Sequence, residues 1–190
     1  MIDRAVDRLL NRAARRGPFA VRPAVAAFHA ATPVVDLLVG TPLFRRSFLE
    51  RLDHGHVDLP RAREGGLDLA GFTVATRFPD LRGTLSAVHF AALGVPVGRL
   101  GDDIAIAEAF LDRIDGWVAA SAGRLAWWSP GEALPIPGDA IRCIAGIQGG
   151  QVLGDDLRRV EHLRARGVRM LALALVLDTP LAGSGTGRRA

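Results

Sequence analysis

Two strongly apolar runs, Ile141–Ile147 and Arg169–Leu177, bracket a stretch of helical spacing, and this arrangement constrains the chain more than any other feature. The intervening residues 155–166 place Leu157, Val160 and Leu163 on one side. Gly167 comes next, where a helix can end in a left-handed turn. Strand, helix, strand is the pattern of parallel α/β architecture. The unbroken apolarity of Met170–Leu177 fits a strand covered on both faces, as parallel strands are.

The rest of the chain reads in the same alternating terms. Residues 3–15 predict a helix with Ala5, Leu9 and Leu10 on its apolar side, ended by Gly17-Pro18. Residues 22–31 predict a second short helix, and Val34–Val39 a strand. Thr41–Asp53 reads as helical, with Leu43, Phe44, Phe48 and Leu52 near one face, and Leu67–Phe78 as a strand. Pro79–Gly101 reads as turn-rich. Asp102–Ser121 is the clearest helix, with Ile104, Ala107, Phe110, Leu111, Ile114 and Val118 at helical spacing. Arg124–Trp128 reads as a short strand, followed by a Pro/Gly-rich loop. The expected organisation is a helical extension over 1–32, an α/β unit over 33–181 and a flexible Gly/Arg tail over 182–190.

Composition excludes several classes. With 190 residues, 49% of them apolar, the chain can bury a sizeable core and is not a disordered one. No apolar run reaches the roughly 18 residues of a membrane-spanning helix, and Met1-Ile2-Asp3-Arg4 lacks the start of a signal peptide. The single cysteine, Cys143, excludes an intrachain disulfide and fits a buried thiol in a reducing compartment. The expected location is the cytoplasm. All 24 basic residues are arginine. A nucleic-acid or membrane-surface binder is one reading of that bias. An Arg-rich genome is the plainer one, because acidic residues are interspersed and no basic run alternates with aromatics.

Two short motifs invite chemistry. His54-Gly55-His56-Val57-Asp58 offers three metal ligands in five residues, though such residues at a polar turn ordinarily make caps and local hydrogen bonds. Gly146-Ile147-Gln148-Gly149-Gly150 ends a strand and could cradle a phosphate. It has no Walker lysine, and its spacing is not that of a dinucleotide-binding turn. No serine stands in a nucleophile elbow. His29, His89 and His162 fit structural or surface positions.

Several segments together resemble one family. Phe28-His29-Ala30-Ala31-Thr32-Pro33-Val34-Val35-Asp36 is similar to the entry into the first strand of the membrane (renal) dipeptidases. Gly55–Gly66, which contains His56-Val57-Asp58-Leu59-Pro60-Arg61-Ala62-Arg63-Glu64, resembles that family's HVDLPRLREGG segment. Ile144–Gly150 resembles its strand ending in Glu-Gly, and Gly167–Leu173 its GxRxLxLTH strand. Asp178–Gly187 resembles the loop after that strand, and the order agrees across residues 24–187. The resemblance implies a (β/α)8 barrel whose strand tips hold two zinc ions, with dipeptides as substrates and a metal-bridging water as nucleophile.

At the positions that carry ligands in that family this chain departs from it. The first-strand His and Asp correspond to Leu38 and Gly40, and the bridging Glu to Gln148. The later histidines correspond to Gln151, Leu175 and Thr186. Asp36 matches a family aspartate that is not itself a ligand. Barrels of this kind commonly need about 250 residues, so the expectation is a partial barrel of four or five strands. The expected protein is catalytically inactive and dipeptidase-like, with no resident cofactor, and serves in binding or assembly. Its open edges would be covered by a second copy or by a complementary half-barrel chain. The competing expectation is an active metallopeptidase built from His54, His56, Asp58 and Asp178.

Overall fold

The computed structural model of the chain describes residues 4–5, 9, 20–77, 85–133 and 140–185. Five parallel strands form one open sheet: β1 (Val35–Val39), β2 (Leu69–Ala75), β3 (Leu125–Trp127), β4 (Ile141–Gln148) and β5 (Val168–Ala172). β2 lies between β1 and β4 and pairs with β4 along its whole length, Leu69 against Arg142 through Ala75 against Gln148. The far edge of β4 is divided. β3 takes its first half, Leu125 against Ile141 to Trp127 against Cys143, and β5 its second, Ala145 against Val168 to Gln148 against Ala172. Among the described residues β1, β3 and β5 each have one partner strand, so the sheet is an open α/β partial barrel, with β1 at one edge and β3 and β5 sharing the other.

The helices bounded within the described residues are α1 (Pro23–Ala31), α2 (Leu59–Glu64), α3 (Leu85–Ala92), α4 (Asp103–Ala120) and α5 (Arg158–Ala165). α4 forms where the helical spacing predicts. The Asp102 carboxylate caps it by accepting the Ile104 N–H, and Ser121 closes it. Ile106, Ala107, Phe110, Leu111, Ile114 and Trp117 are buried along it, while Ile104 and Val118 are partly covered. Its partner is the outer face of the sheet, where Ala70, Phe72, Val74, Cys143, Ala145 and Ile147 alternate with residues of the other face. All seven residues of β2 are buried, as expected of a central parallel strand. No helix among the described residues is long and apolar enough to cross a membrane.

Four expectations need correction. Thr41–Asp53 is not a helix: a single 3-10 turn, Thr41–Leu43, gives way to extended backbone at Phe44. Two forces hold it open. Arg113 of α4 donates to the Pro42 and Phe44 carbonyls at 2.6 and 3.2 Å. Phe48 leaves the loop for the core, meeting Phe72 edge to face at 4.9 Å and Trp117 at a tilt at 5.7 Å between ring centres. The stretch read as turn-rich contains α3. In α5 Leu163 is buried as expected, but Val160 and the preceding cap residue Leu157 are 45% and 70% exposed. β5 ends at Ala172, and Leu173, Leu175 and Val176 beyond it are exposed. The helix expected over 3–15 lies outside the described residues except Arg4, Ala5 and Leu9, which are helical. The last five residues of the expected tail also lie outside them.

Candidate functional site

Parallel strands carry their ligand sites at the carboxyl ends, where chain direction changes and backbone groups are freed. Here β2 runs out into Thr76-Arg77 and β4 into Gln148-Gly149-Gly150. Gly149 has φ of 110°, a conformation that only glycine adopts without strain. It turns the chain into a 3-10 segment, Gly150–Leu153, and carries Gln151 into the interior. The loop after β5 folds back across these tips. The Gly150 N–H donates to the Leu173 carbonyl at 3.0 Å, and the Thr179 hydroxyl donates to the same carbonyl at 2.7 Å.

The result is a cavity of about 180 Å³, bounded by Leu43, Ala75, Arg77, Gln148, Gly149, Gln151 and Leu175–Leu177. A polar chain leads away from two of its lining residues, Gln151 and Arg77. The Gln151 Nε2 donates to the Thr76 hydroxyl at 3.0 Å, and that hydroxyl donates to the Asp103 carboxylate at 2.7 Å. Arg77 grips the other carboxylate oxygen through Nη2 at 2.7 Å. Asp103 opens α4, where the helix dipole also favours its negative charge. The chain ties the tips of β2 and β4 to the start of α4. Around it stand two carboxamides, one guanidinium already paired with a carboxylate, and aliphatic walls. These groups can hydrogen-bond a small ligand, but the lining holds no nucleophile beside a base.

Of the sequence-predicted positions, the structure brings Gln148, Gln151 and Leu175 to this cavity. Leu38 and Gly40 are not in its lining. Leu38 is exposed on β1, its N–H accepted by the Asp36 carboxylate at 2.9 Å. Thr186 lies outside the described residues. Asp58 is buried as the cap of α2, accepting the Arg61 N–H at 3.0 Å and pairing with the Arg61 guanidinium. His54 Nδ1 meets the neighbouring Asp53 at 2.8 Å, and His56 comes later in the same turn. Asp178, in the loop after β5, accepts the Ser184 N–H at 2.7 Å. Among the described residues no three His, Cys, Asp or Glu side chains are grouped to hold a metal ion.

The residues that sequence reasoning passed over are Thr76, Arg77 and Asp103. The visible signal was a Thr-Arg pair at a strand end and an Asp-Asp pair at a helix start. Their meeting depends on a contact 26 to 27 residues long, which no local pattern reveals. Arg166 is shared by Glu108, Asp112 and Asp115 of α4, and His162 reaches Glu108 at 2.6 Å. Burial, with a smaller contribution from Asp115, pushes the Cys143 thiol far up from its ordinary value and leaves it unreactive.

Comparison with known proteins agrees with this architecture. A dipeptidase AC of peptidase family M19 superposes with a TM-score of 0.58 at 22% identity, over 76% of this chain and 44% of that one. A metallopeptidase from Rhodobacter sphaeroides, liganded with a phosphinate mimic of the dipeptide L-Ala-D-Ala, also gives 0.58 at 23% identity, over 76% and 46%. The chain thus spans less than half the length of these two structures. No curated protein matches it. The family model for membrane dipeptidase (peptidase family M19) matches residues 23–190, and this chain belongs to that family.

Proposed function

We propose that this chain is a dipeptidase-family protein that does not hydrolyse peptides and that serves in binding or assembly. The observation that carries the reading is the donor set where the strand tips converge. Zinc centres are built from imidazole, thiolate and carboxylate ligands. The polar side chains that border the cavity are instead Gln148, Gln151 and Arg77. Carboxamides are neutral and cannot offset two dications, and a guanidinium has no lone pair to offer. The Gln151 amide is also committed to Thr76. The residues present do not fit a pair of zinc ions, so no hydrolytic step through such ions is derived from this site.

A binding role draws support from the cavity itself, and the ligand of the Rhodobacter sphaeroides metallopeptidase makes a dipeptide the first compound to try. An assembly role draws support from the sheet edges: β1 exposes Val35, Leu37 and Leu38, and the half-buried β5 is followed by the exposed Leu173. The test is metal analysis of the purified 190-residue chain beside an Ala-Ala hydrolysis assay with added zinc. The expected result is sub-stoichiometric zinc and no cleavage above a heat-denatured control. Stoichiometric zinc with cleavage that a chelator abolishes would overturn the reading.

A further inference from the structure

We infer that the cavity at the strand tips binds a small uncharged ligand bearing a carboxamide, and passes over the corresponding carboxylate or ammonium compound. The inference rests on the binding reading above and narrows its ligand. Charge is the first argument. Arg77 spends Nε and Nη2 on Asp103, at 3.2 and 2.7 Å, so the cation of the lining is already balanced. Gln148 and Gln151 are neutral, and Leu43, Ala75, Leu175, Val176 and Leu177 supply aliphatic walls. A ligand bringing a full charge would give up its water with no counter-ion in return.

Hydrogen bonding is the second argument. The Thr76 hydroxyl proton is drawn to the Asp103 carboxylate at 2.7 Å, so toward Gln151 this hydroxyl can only accept. That fixes which way the Gln151 carboxamide is turned: Nε2 faces Thr76, and Oε1 faces away from it. Oε1 takes up space that a side chain on Gly149 would fill, and Gly149 lines the same cavity. Gln151 is only 8% exposed, yet its Oε1 receives no donor among the described residues. An acceptor held so deep calls for an N–H.

Gln148 supplies the complement. Its carboxamide, half-buried at the end of β4, lines the cavity and has no hydrogen-bond partner among the described residues. It offers a carbonyl acceptor and an NH2 donor. A ligand carboxamide carries the same pair, so it can exchange two N–H···O bonds with Gln148 and keep a second N–H for the Gln151 Oε1. A carboxylate has no N–H to give, and an ammonium has no acceptor for the Gln148 NH2. Volume limits the rest of the ligand. The cavity of about 180 Å³ is smaller than the roughly 300–1,000 Å³ of sites for drug-sized compounds, so the attached group is a short aliphatic one.

Isobutyramide, isobutyrate and isobutylammonium share one branched skeleton and differ only in the head group. Each is titrated into the isotope-labelled, chelator-treated chain and followed by amide NMR. Isobutyramide should move the side-chain amide signals of Gln148 and Gln151 and bind about tenfold or more tightly than either charged compound, the factor that one unpaired buried polar group brings. Gln148→Leu should weaken isobutyramide about tenfold with an unchanged circular dichroism spectrum. Gln148→Glu should hand the preference to isobutylammonium, and it decides the matter if Gln148→Leu fails to fold. No binding of isobutyramide, equal affinity for the three head groups, or an unaltered preference in Gln148→Glu would overturn the assignment. Zinc content and Ala-Ala hydrolysis, read on the untreated sample, keep the two readings apart. A zinc-free chain that ignores isobutyramide sinks the ligand alone, and a zinc-bearing, hydrolysing chain sinks the non-catalytic reading whatever the titration shows.

Discussion

The Thr76 hydroxyl serves two neighbours at once, accepting from Gln151 and donating to Asp103. Replacing it by the isosteric Thr76→Val leaves a buried amide and a carboxylate each short of a partner. Loss of about 1–3 kcal/mol is expected, from the cost of leaving such groups unpaired. Urea unfolding measures it, and an unchanged midpoint would show that this polar chain contributes nothing. Cys143 gives a second check. Its thiol is buried and its pKa is raised by that burial, so an aromatic disulfide reagent should label it only after unfolding. Labelling of the native chain at the rate of a free thiol would contradict the packing of β4. The sequence alone marks Cys143 as a structural thiol, because its neighbours are apolar. It cannot mark Thr76, whose neighbours in the chain carry no signal and whose partners lie 27 and 75 residues away.

Among the elements, legibility tracks the range of the forces. α4 is legible because its cap and its apolar stripe are local, and β2, β4 and β5 because apolar runs between breakers are local too. The loop over 41–53 imitates a helix in its Leu and Phe spacing, whereas Phe48 is claimed by Phe72 and Trp117 from other elements. Phe48→Ala should therefore cost about 3–5 kcal/mol, the range for large aromatic truncations in a core. Thermal unfolding of the variant measures it, and a loss below about 1 kcal/mol, the size of a surface substitution, would mean that the loop is held by Arg113 alone. Val160 of α5 and Leu157 just before it illustrate the converse. Their spacing announces an inward face, yet Leu157 is 70% and Val160 45% exposed. The exposed apolar positions of α1 and β1 show the same mismatch at the other edge.

For the whole molecule, α4 acts as a tie between the sheet and α5. Its Glu108, Asp112 and Asp115 hold Arg166, just before β5, and Arg99 joins at Asp112. Burial pushes the Asp112 carboxyl up, but hydrogen bonds and charge from Arg99 and Arg166 outweigh it and hold the group below its ordinary value of 3.8. A carboxyl lowered in the folded chain stabilises it above the unfolded pKa and stops doing so as pH falls through the folded one. The unfolding midpoint should thus hold between about pH 7 and 5 and fall below about pH 4, within the ordinary range of aspartate titration. Arg166→Ala should flatten that acid limb, and an identical limb in the variant would remove Arg166 from the account.

Trp127, at the end of β3, lies directly under the start of β5. A Cβ on Gly167 would stand 2.7 Å from its indole ring, and Gly167 turns there with φ of 87°. Sliding β5 by one residue along β4 would drive Arg166 or Val168 into that ring. The indole is a doorstop against slippage, the usual hazard of an apolar strand with one side open. The rim that β5 offers is consequently a ruler with a set zero, on which an arriving strand would find one alignment rather than several.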